Sequence, residues 1–521
     1  MIRMLVPASP RLPPSLKLRR TGRQTSLLLV AVLALSGCAS RSPKLAVPDP
    51  TAGADVLFRQ GCYDCLLEAR TQYERLSRQW PAAAVKVFEV DLLLALREKE
   101  LSIDATATLA RAASLVPRLP KLGAERFLEM VRAAPPDAAG RRPLPLTPAA
   151  RSELESTIAA IDASAFSMVF KSYLKLSLQC GRLTDDPSAT AEDVPMLKYR
   201  NAICDVAPRV EPLRAVRASV PRFVETSFFL GRAAKGTLFR TDGSEVRRLF
   251  EEAYARFSNA PAIAYELGSV YQATNDCRNA ETYFSRAIEL SPTLEEARLG
   301  RTICRTYLSK NEEAVADATV LIDTSGSATN RGDAFYWRAW NRRRLKQLEA
   351  ARADIEQARS LRYNARVLTL AGMIEYDQRD FDPARRDLDR ARDMDNRECE
   401  APWYLGLVEF SVEAWAPSAR GFAAAADCYQ TLIADTERLR AEMAARADVS
   451  EDFRARQIAG FDAAIAEDSV QRSAAELNAA VNYGRAGDLP SATVYMKRAA
   501  TDPQRRLAVE DLRQVLGVPR W

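Results

Sequence analysis

The sequence predicts an all-α fold in which a solenoid of helical hairpins follows an irregular helical N-terminal half. Two observations predict it. Small residues recur about every 34 residues, and the glycines Gly268, Gly372 and Gly406 lie 104 and 34 residues apart. Periods of this length are typical of stacked hairpins, each too small to bury its apolar face alone. Ala, Leu, Glu and Arg also dominate the composition, which favours helices over strands.

The repeat alternates small and large residues on one period. If the glycine is numbered position 8, alanine recurs at positions 20 and 27, and a larger apolar residue recurs at position 24. Small residues let the two helices of a hairpin approach closely, and the large residue fills the space beside them. Position 20 is Ala280, Ala351, Ala384 and Ala492; position 27 is Ala253, Ala287, Ala358, Ala391, Ala425 and Ala499; position 24 is Phe250, Phe284, Ile355, Leu388, Phe422 and Met496.

These positions resemble the tetratricopeptide repeat (TPR) family over residues 227–432 and 473–506, and more weakly over the N-terminal half. The resemblance implies a right-handed α-solenoid whose first helices line a concave groove that binds a protein or peptide. The unit 295–331 departs from the family pattern, because Arg301 and Thr302 occupy the usual Leu-Gly place.

Residues 1–37 are predicted to be a targeting segment. Six basic residues and no acid precede an apolar run at 26–35, which is shorter than the roughly 20 residues that span a bilayer. The motif LSGC at 35–38 follows directly and is similar to the lipobox of bacterial lipoproteins. That resemblance implies lipidation of Cys38 and, because Ala39 follows it, anchoring at the bacterial outer membrane, facing the periplasm or the cell surface. The alternative is an ordinary signal peptide in which Cys38 is incidental.

Proline content and charge predict the other boundaries. Prolines interrupt helices, and a Pro/Ala/Gly-rich stretch after the lipidation site suits a tether. The predicted segments are a tether at 38–54, a helical, degenerate TPR-like region at 55–132, a Pro-rich linker at 133–150, helical hairpins at 151–226, the TPR array at 227–432, a helical extension at 433–472, a TPR at 473–506 and a C-terminal cap helix at 507–521.

Composition argues against several classes of function. The formal charge of +6 arises entirely within the first 37 residues, and the balanced remainder argues against nucleic-acid binding. The chain contains no histidine, which removes Ser-His-Asp catalysis and the HExxH zinc motif. We therefore expect no enzymatic activity, no cofactor and no metal. A less favoured alternative is an enzyme with its site in 133–226.

Eight cysteines besides Cys38 form neighbouring pairs in the sequence. An even number in an oxidising compartment favours disulfides, whereas the alternative is that several are buried small apolar residues. A redox role for the CxxC pair is less favoured, because no strand precedes it. The pairs are Cys62 and Cys65, Cys180 and Cys204, Cys277 and Cys304, and Cys399 and Cys428.

The TPR resemblance places positions 5, 9 and 12 of each first helix in the groove, where aromatic residues are frequent. Aromatic clusters on a surface mark binding sites; the alternative is that neighbouring helices, or an extra helix at 451–466, cover them. The expected function is a scaffold for envelope assembly, secretion or pilus biogenesis, and the alternative is a nutrient- or glycan-binding lipoprotein. The groove set is Tyr265, Tyr336, Trp340, Arg343, Tyr376, Trp403 and Phe410.

Overall fold

The predicted all-α solenoid is confirmed. The structure, a computed structural model, describes residues 49–119, 123–134, 148–178, 194–204, 208–235, 243–447, 449 and 451–521. Within these ranges it contains 24 α-helices, one short 3₁₀-helix and no strand. The targeting segment, Cys38 and most of the Pro-rich linker lie outside the described residues. Every described helix is too short or too polar to cross a membrane.

The N-terminal half is built around one central helix, α3. Nearly every residue of α3 from Val87 to Glu100 is buried, including its charged residues, because other helices enclose it on all sides. The helices of this half are α1 Ala52–Gln60, α2 Tyr63–Ser77, α3 Ala82–Glu100, α4 Thr106–Leu115, α5 Ala124–Ala133, α6 Pro148–Ala163, α7 Met168–Leu178, α8 Pro195–Ala202, α9 Val210–Ser219 and α10 Glu225–Lys235.

A buried arginine on α3 joins several of these helices. The Arg97 guanidinium lies 3.2 Å from Glu100 and 3.5 Å from Glu225, and it donates a hydrogen bond to the Gly61 carbonyl at 3.1 Å. It also stacks over the Tyr199 ring, 3.9 Å from the centroid. Burial raises the pKa of Glu225 to about 6 even though Arg97 lowers it. A buried charge is costly to leave unpaired. Because the partners of Arg97 come from several helices, these helices must pack together in one arrangement to satisfy it.

The C-terminal half is the array of hairpins, with short loops between its helices. Its helices are α11 Gly243–Arg256, α12 Pro261–Ala273, α13 Cys277–Leu290, α14 Glu295–Tyr307, α15 Asn311–Thr324, α16 Ala328–Arg344, α17 Leu348–Leu361, α18 Ala365–Asp377, α19 Phe381–Met394, α20 Glu400–Ser411, α21 Trp415–Ala444, α22 Glu451–Arg485, α23 Leu489–Ala499 and α24 Arg506–Val515.

From α12 to α23, each hairpin turn that the structure describes contains one residue with left-handed backbone. The positive-φ residues all fall at position 15, and they are Asn275, Ser309, Lys346, Arg379, Glu413 and Gly487. Five of the six are not glycine, so their side chains adopt a conformation that is uncommon for them. Ser309 also stands at position 15 of its unit. The unit 295–331, whose register was unclear from the sequence pattern, therefore keeps the same register as the other hairpins.

The alternating small and large positions form the core of the array. All the residues predicted at positions 20, 24 and 27 are buried. The glycines at position 8 lie against the large residue: a Cβ on Gly268 would be 2.6 Å from Phe284, and one on Gly372 would be 2.5 Å from Leu388. Between α20 and α21 the contact is backbone to backbone, because a Cβ on Gly421 would be 2.5 Å from the Gly406 nitrogen.

The first helices of the array form its inner layer. The helices α12, α14, α16, α18 and α20 pack successively on one another as well as on their own second helices. The last two long helices extend this pattern: α21 has 30 residues and α22 has 35. The predicted extension at 433–472 therefore consists of the end of α21 and the start of α22, and α22 continues without a break into the first helix of the last hairpin. The final helix, α24, buries Val509 and Leu512.

We expect Gly421→Ala to destabilise the array by about 1–3 kcal/mol, since the added methyl meets backbone that cannot yield easily. Gly460→Ala is the matched control: it lies within α22 with no neighbouring atom near its Cβ position, and alanine there should stabilise by roughly 1 kcal/mol. The measurement is the urea midpoint of each variant. A Gly421→Ala midpoint at or above that of the wild type would contradict the packing described.

Candidate functional site

The residues predicted to line the groove lie on the inner layer, but none of them is fully exposed. Trp403 is only 6% exposed and packs edge-on against Phe422 of its own hairpin, 5.5 Å between centroids. It is therefore a core residue, which corrects its assignment to the groove. Phe410 is half-buried beneath Arg485, which stands 5.1 Å from its ring, so neighbouring helices provide this cover.

Two further members of the set, Arg343 on α16 and Tyr376 on α18, are joined through Tyr404 on α20. Arg343 lies 2.8 Å from the Asp377 carboxylate and donates a hydrogen bond of 2.8 Å to the Tyr404 hydroxyl. The Tyr376 ring lies edge-on to Tyr404 at 5.6 Å. Arg343 is thus occupied by partners within the fold. Tyr265, on α12, lies beneath the ammonium group of Lys235 at 5.3 Å.

The last two members of the set, Tyr336 and Trp340, form a continuous surface with two residues outside it, Tyr307 and Trp337. These four residues are called the aromatic strip. Tyr336 contacts Trp337 at 5.2 Å and Trp340 at 6.4 Å, and Tyr307 lies 6.4 Å from Trp337. Tyr336 is 9% exposed, whereas Tyr307 is 70% exposed. The strip therefore offers one exposed ring supported by three that are more buried.

Tyr307 was missed by the sequence reasoning. It is the last residue of α14, in the unit whose Leu-Gly place is filled by Arg301 and Thr302, so no groove positions were assigned there. The left-handed residue Ser309 shows that this unit keeps the common register, and Tyr307 is its position 13. The groove set was drawn from positions 5, 9 and 12 alone, so a residue at position 13 would have been missed even in a regular unit.

Beside the strip lies a group of carboxylates, the acidic cluster, which consists of Glu398, Glu400, Glu467 and Asp468. Glu398 and Glu400 stand at the start of α20, and the other two lie within α22. Arg366 connects the two surfaces, because its guanidinium stands 5.2 Å from the Tyr336 ring and also acts on Glu398. Burial, and then the carboxylate of Glu400, raises the pKa of Glu398 to about 7.

Of the three cysteine pairs that lie wholly within the described residues, two form disulfides: Cys62 with Cys65, and Cys399 with Cys428. Cys277 and Cys304 have their side chains in contact but remain thiols, so the predicted bridge between them is absent. Cys304 is fully buried and fits the alternative of a small apolar core residue. Cys180 lies outside the described residues, and its pairing with Cys204 is therefore not described.

A cleft of about 240 Å³ lies where α21, α22 and α23 meet. Charged side chains line it, among them Arg472, Glu476 and Arg498, and it contains no aromatic residue. Stacking of a sugar ring, which the glycan-binding alternative requires, has no platform there. No group of three or more acidic or cysteine side chains in the described ranges is arranged to hold a metal ion.

One segment of the chain matches a family model. Residues 261–294, which comprise α12, α13 and the loop that leads to α14, match the model described as tetratricopeptide repeat. No curated protein matches the sequence.

Solved structures with similar folds include the Cut9-Hcn1 hetero-tetramer of the APC/C, at 12% identity, 89% of this chain, 94% of that chain and a TM-score of 0.38. A tetratricopeptide repeat protein from Parabacteroides merdae is similar at 11% identity, 57% of this chain, 99% of that chain and a TM-score of 0.35. PilW, a type IV pilus biogenesis factor, is similar at 15% identity, 49% of this chain, 98% of that chain and a TM-score of 0.35. At this level of similarity, the functions of those proteins do not transfer to this chain.

We expect the disulfide of Cys399 and Cys428 to stabilise more than that of Cys62 and Cys65, because it closes a loop of 29 residues rather than 3. The loop-closure estimates are about 3–4 and about 2 kcal/mol. Urea midpoints of the two double alanine variants, each compared with the wild type under oxidising conditions, test this. An equal loss of stability in both variants would contradict it.

Stability should fall as pH rises through 7, because folded Glu398 holds a proton that the unfolded chain has already released. Its pKa is about 7 in the fold, against an ordinary value of 4.5, so its contribution is complete below about 4.5 and lost above 7. Melting temperatures at pH 6 and 8 should therefore differ less in Glu398→Gln than in the wild type. Glu413→Gln, at an exposed position, is the control and should keep the wild-type difference.

Proposed function

Because the chain is a tetratricopeptide repeat protein, we propose that it is a non-catalytic scaffold that holds a segment of a partner protein along the inner layer of its array. A TPR fold supports protein–protein interaction as the general role. A place in envelope assembly, secretion or pilus biogenesis is a family analogy. The proposal that a partner binds in the groove depends on which side chains of the inner layer are exposed.

The aromatic strip is the observation that carries the proposal. Aromatic residues are enriched among the energetically dominant residues of protein interfaces, where they fill pockets and exclude water. Tyr307 is 70% exposed and contacts only the edge of the strip, with its ring 6.4 Å from that of Trp337. An exposed ring beside three more buried ones is suited to contact a peptide or helix.

We further propose that lipid on Cys38 anchors this scaffold to the bacterial outer membrane. The support is the basic segment, the apolar run and the LSGC motif of residues 1–38. Stable anchoring needs two or more acyl chains, which a lipidated N-terminal cysteine would provide. Metabolic labelling with an alkyne fatty acid tests this directly: the wild type should be labelled and Cys38→Ala should not. Equal labelling of both would refute the anchor.

Site-specific photo-crosslinking from position 307 tests the groove. The full-length protein would carry benzoylphenylalanine in place of Tyr307 and be irradiated in cells. We expect a discrete crosslinked protein, because the exposed ring would face the bound segment. The matched control is Tyr363, which is 55% exposed, lies in the loop between α17 and α18 and is not a member of the strip.

A crosslinked band from position 307 but not from 363 supports the scaffold function. No band from 307, or the same bands from both positions, would count against it. Trp403 should not be used for this purpose, because its replacement by alanine would open a cavity in the core and would confuse loss of binding with loss of folding.

A further inference from the structure

The cleft of about 240 Å³ where α21, α22 and α23 meet, called the charged cleft below, has a lining of both signs. Its ionised side chains are two arginines and two acids, so they carry no net charge together. Asp427 and Gln430 belong to α21, Arg472 and Glu476 to α22, and Arg498 to α23. Polar groups that are distant in sequence therefore face one space.

Glu476 is the most buried charged residue of this cleft, and its hydrogen-bonding capacity is not met. It is 5% exposed, and no donor in the described part of the chain reaches its Oε2 atom. Its ion-pair partner, Arg472, has Nε 3.8 Å from Oε1, which is beyond hydrogen-bond distance. Arg472 Nε is itself buried without an acceptor. Because unmet buried groups cost free energy, the cleft wall offers both an acceptor and a donor to a ligand.

The two arginines are oriented by neighbouring groups. Arg472 donates a hydrogen bond of 2.5 Å from Nη1 to the side-chain oxygen of Gln430. Arg498 lies 3.4 Å from the Asp427 carboxylate, and its guanidinium stands 5.1 Å from the centroid of the Tyr495 ring. A guanidinium carries five N–H donors, so Arg498 retains donors for a second carboxylate.

The balance of charge distinguishes between classes of ligand. A simple anion would meet the carboxylates of Asp427 and Glu476, and a simple cation would meet the two guanidinium groups. A small zwitterion matches both, because its ammonium group donates to a carboxylate and its own carboxylate accepts from an arginine. The volume is below the roughly 300–1,000 Å³ of pockets for drug-sized ligands, which suits a small molecule.

We propose that the charged cleft is a binding site for a free α-amino acid, with the ammonium group against Glu476 and the carboxylate against Arg498. The site shares no residue with the aromatic strip, so this inference goes beyond the scaffold function and does not rest on it. Since three helices line the cleft, a bound amino acid would also hold the last hairpin against α21.

Thermal unfolding of the full chain in detergent, with each standard amino acid added separately at millimolar concentration, tests the site. We expect one or a few of them to raise the melting temperature, because a ligand that binds only the folded state stabilises it. Isothermal titration calorimetry then gives the Kd of the amino acid with the largest effect. Its N-acetyl form lacks the ammonium group and its amide form lacks the carboxylate, and each should bind at least about tenfold more weakly.

Two variants test the assigned residues. Glu476→Gln keeps the shape of the side chain, and Arg498→Gln changes a side chain that is 48% exposed, so a lost contact can be separated from lost folding. Each should weaken binding at least about tenfold. The matched controls, Glu413→Gln and Arg386→Gln, make the same replacements at exposed positions outside the cleft and should bind as the wild type does.

Three results would overturn the site. The first is a melting temperature that no amino acid raises. The second is an equal rise with the blocked forms, which would reflect general exclusion of solutes from the protein surface. The third is wild-type affinity in both cleft variants. Crosslinking from position 307 reports on the scaffold function alone, so failure of either proposal leaves the other standing.

Discussion

The close approach of the two helices in each hairpin is the constraint on which the array depends. At Gly406 and Gly421 the helix backbones touch, and at Gly268 and Gly372 a large residue of the second helix fills the place that a side chain would take. A hairpin of this size cannot bury its apolar face alone. Because each contact also sets where the next hairpin stacks, the spacing of the inner layer, and with it the aromatic strip, follows from these small residues.

The N-terminal half is held together by a different kind of interaction. There a fully buried guanidinium, that of Arg97, gathers carboxylates and aromatic rings from helices distant in sequence. Such a cluster adds little net stability compared with apolar packing. Removing one partner, however, leaves a buried charge unpaired and strongly destabilises the fold. The two halves therefore differ in how they respond to sequence changes. Repeated apolar contacts tolerate different side chains from one hairpin to the next, whereas the single charge of Arg97 requires one arrangement of all its neighbours.

The array was predictable from the sequence because its signal is periodic, and the alanines at positions 20 and 27 are buried where the spacing placed them. The binding surface was less predictable. Tyr336 and Trp403 both stand at position 5 of their units. Trp403 nevertheless packs against Phe422 and belongs to the core. Tyr307 was missed where Arg301 and Thr302 replace the usual residues. The acidic cluster combines residues from the start of α20 with residues of α22, and no local spacing could have joined them.

The continuity of α22 has a mechanical consequence. At about 1.5 Å per residue, its 35 residues make a rod of about 50 Å that begins outside the repeats and ends inside the last one. A force applied at the far end of this rod is transmitted to the last hairpin without a flexible joint to absorb it. The chain thus contains a lever whose short arm is the first helix of the last hairpin.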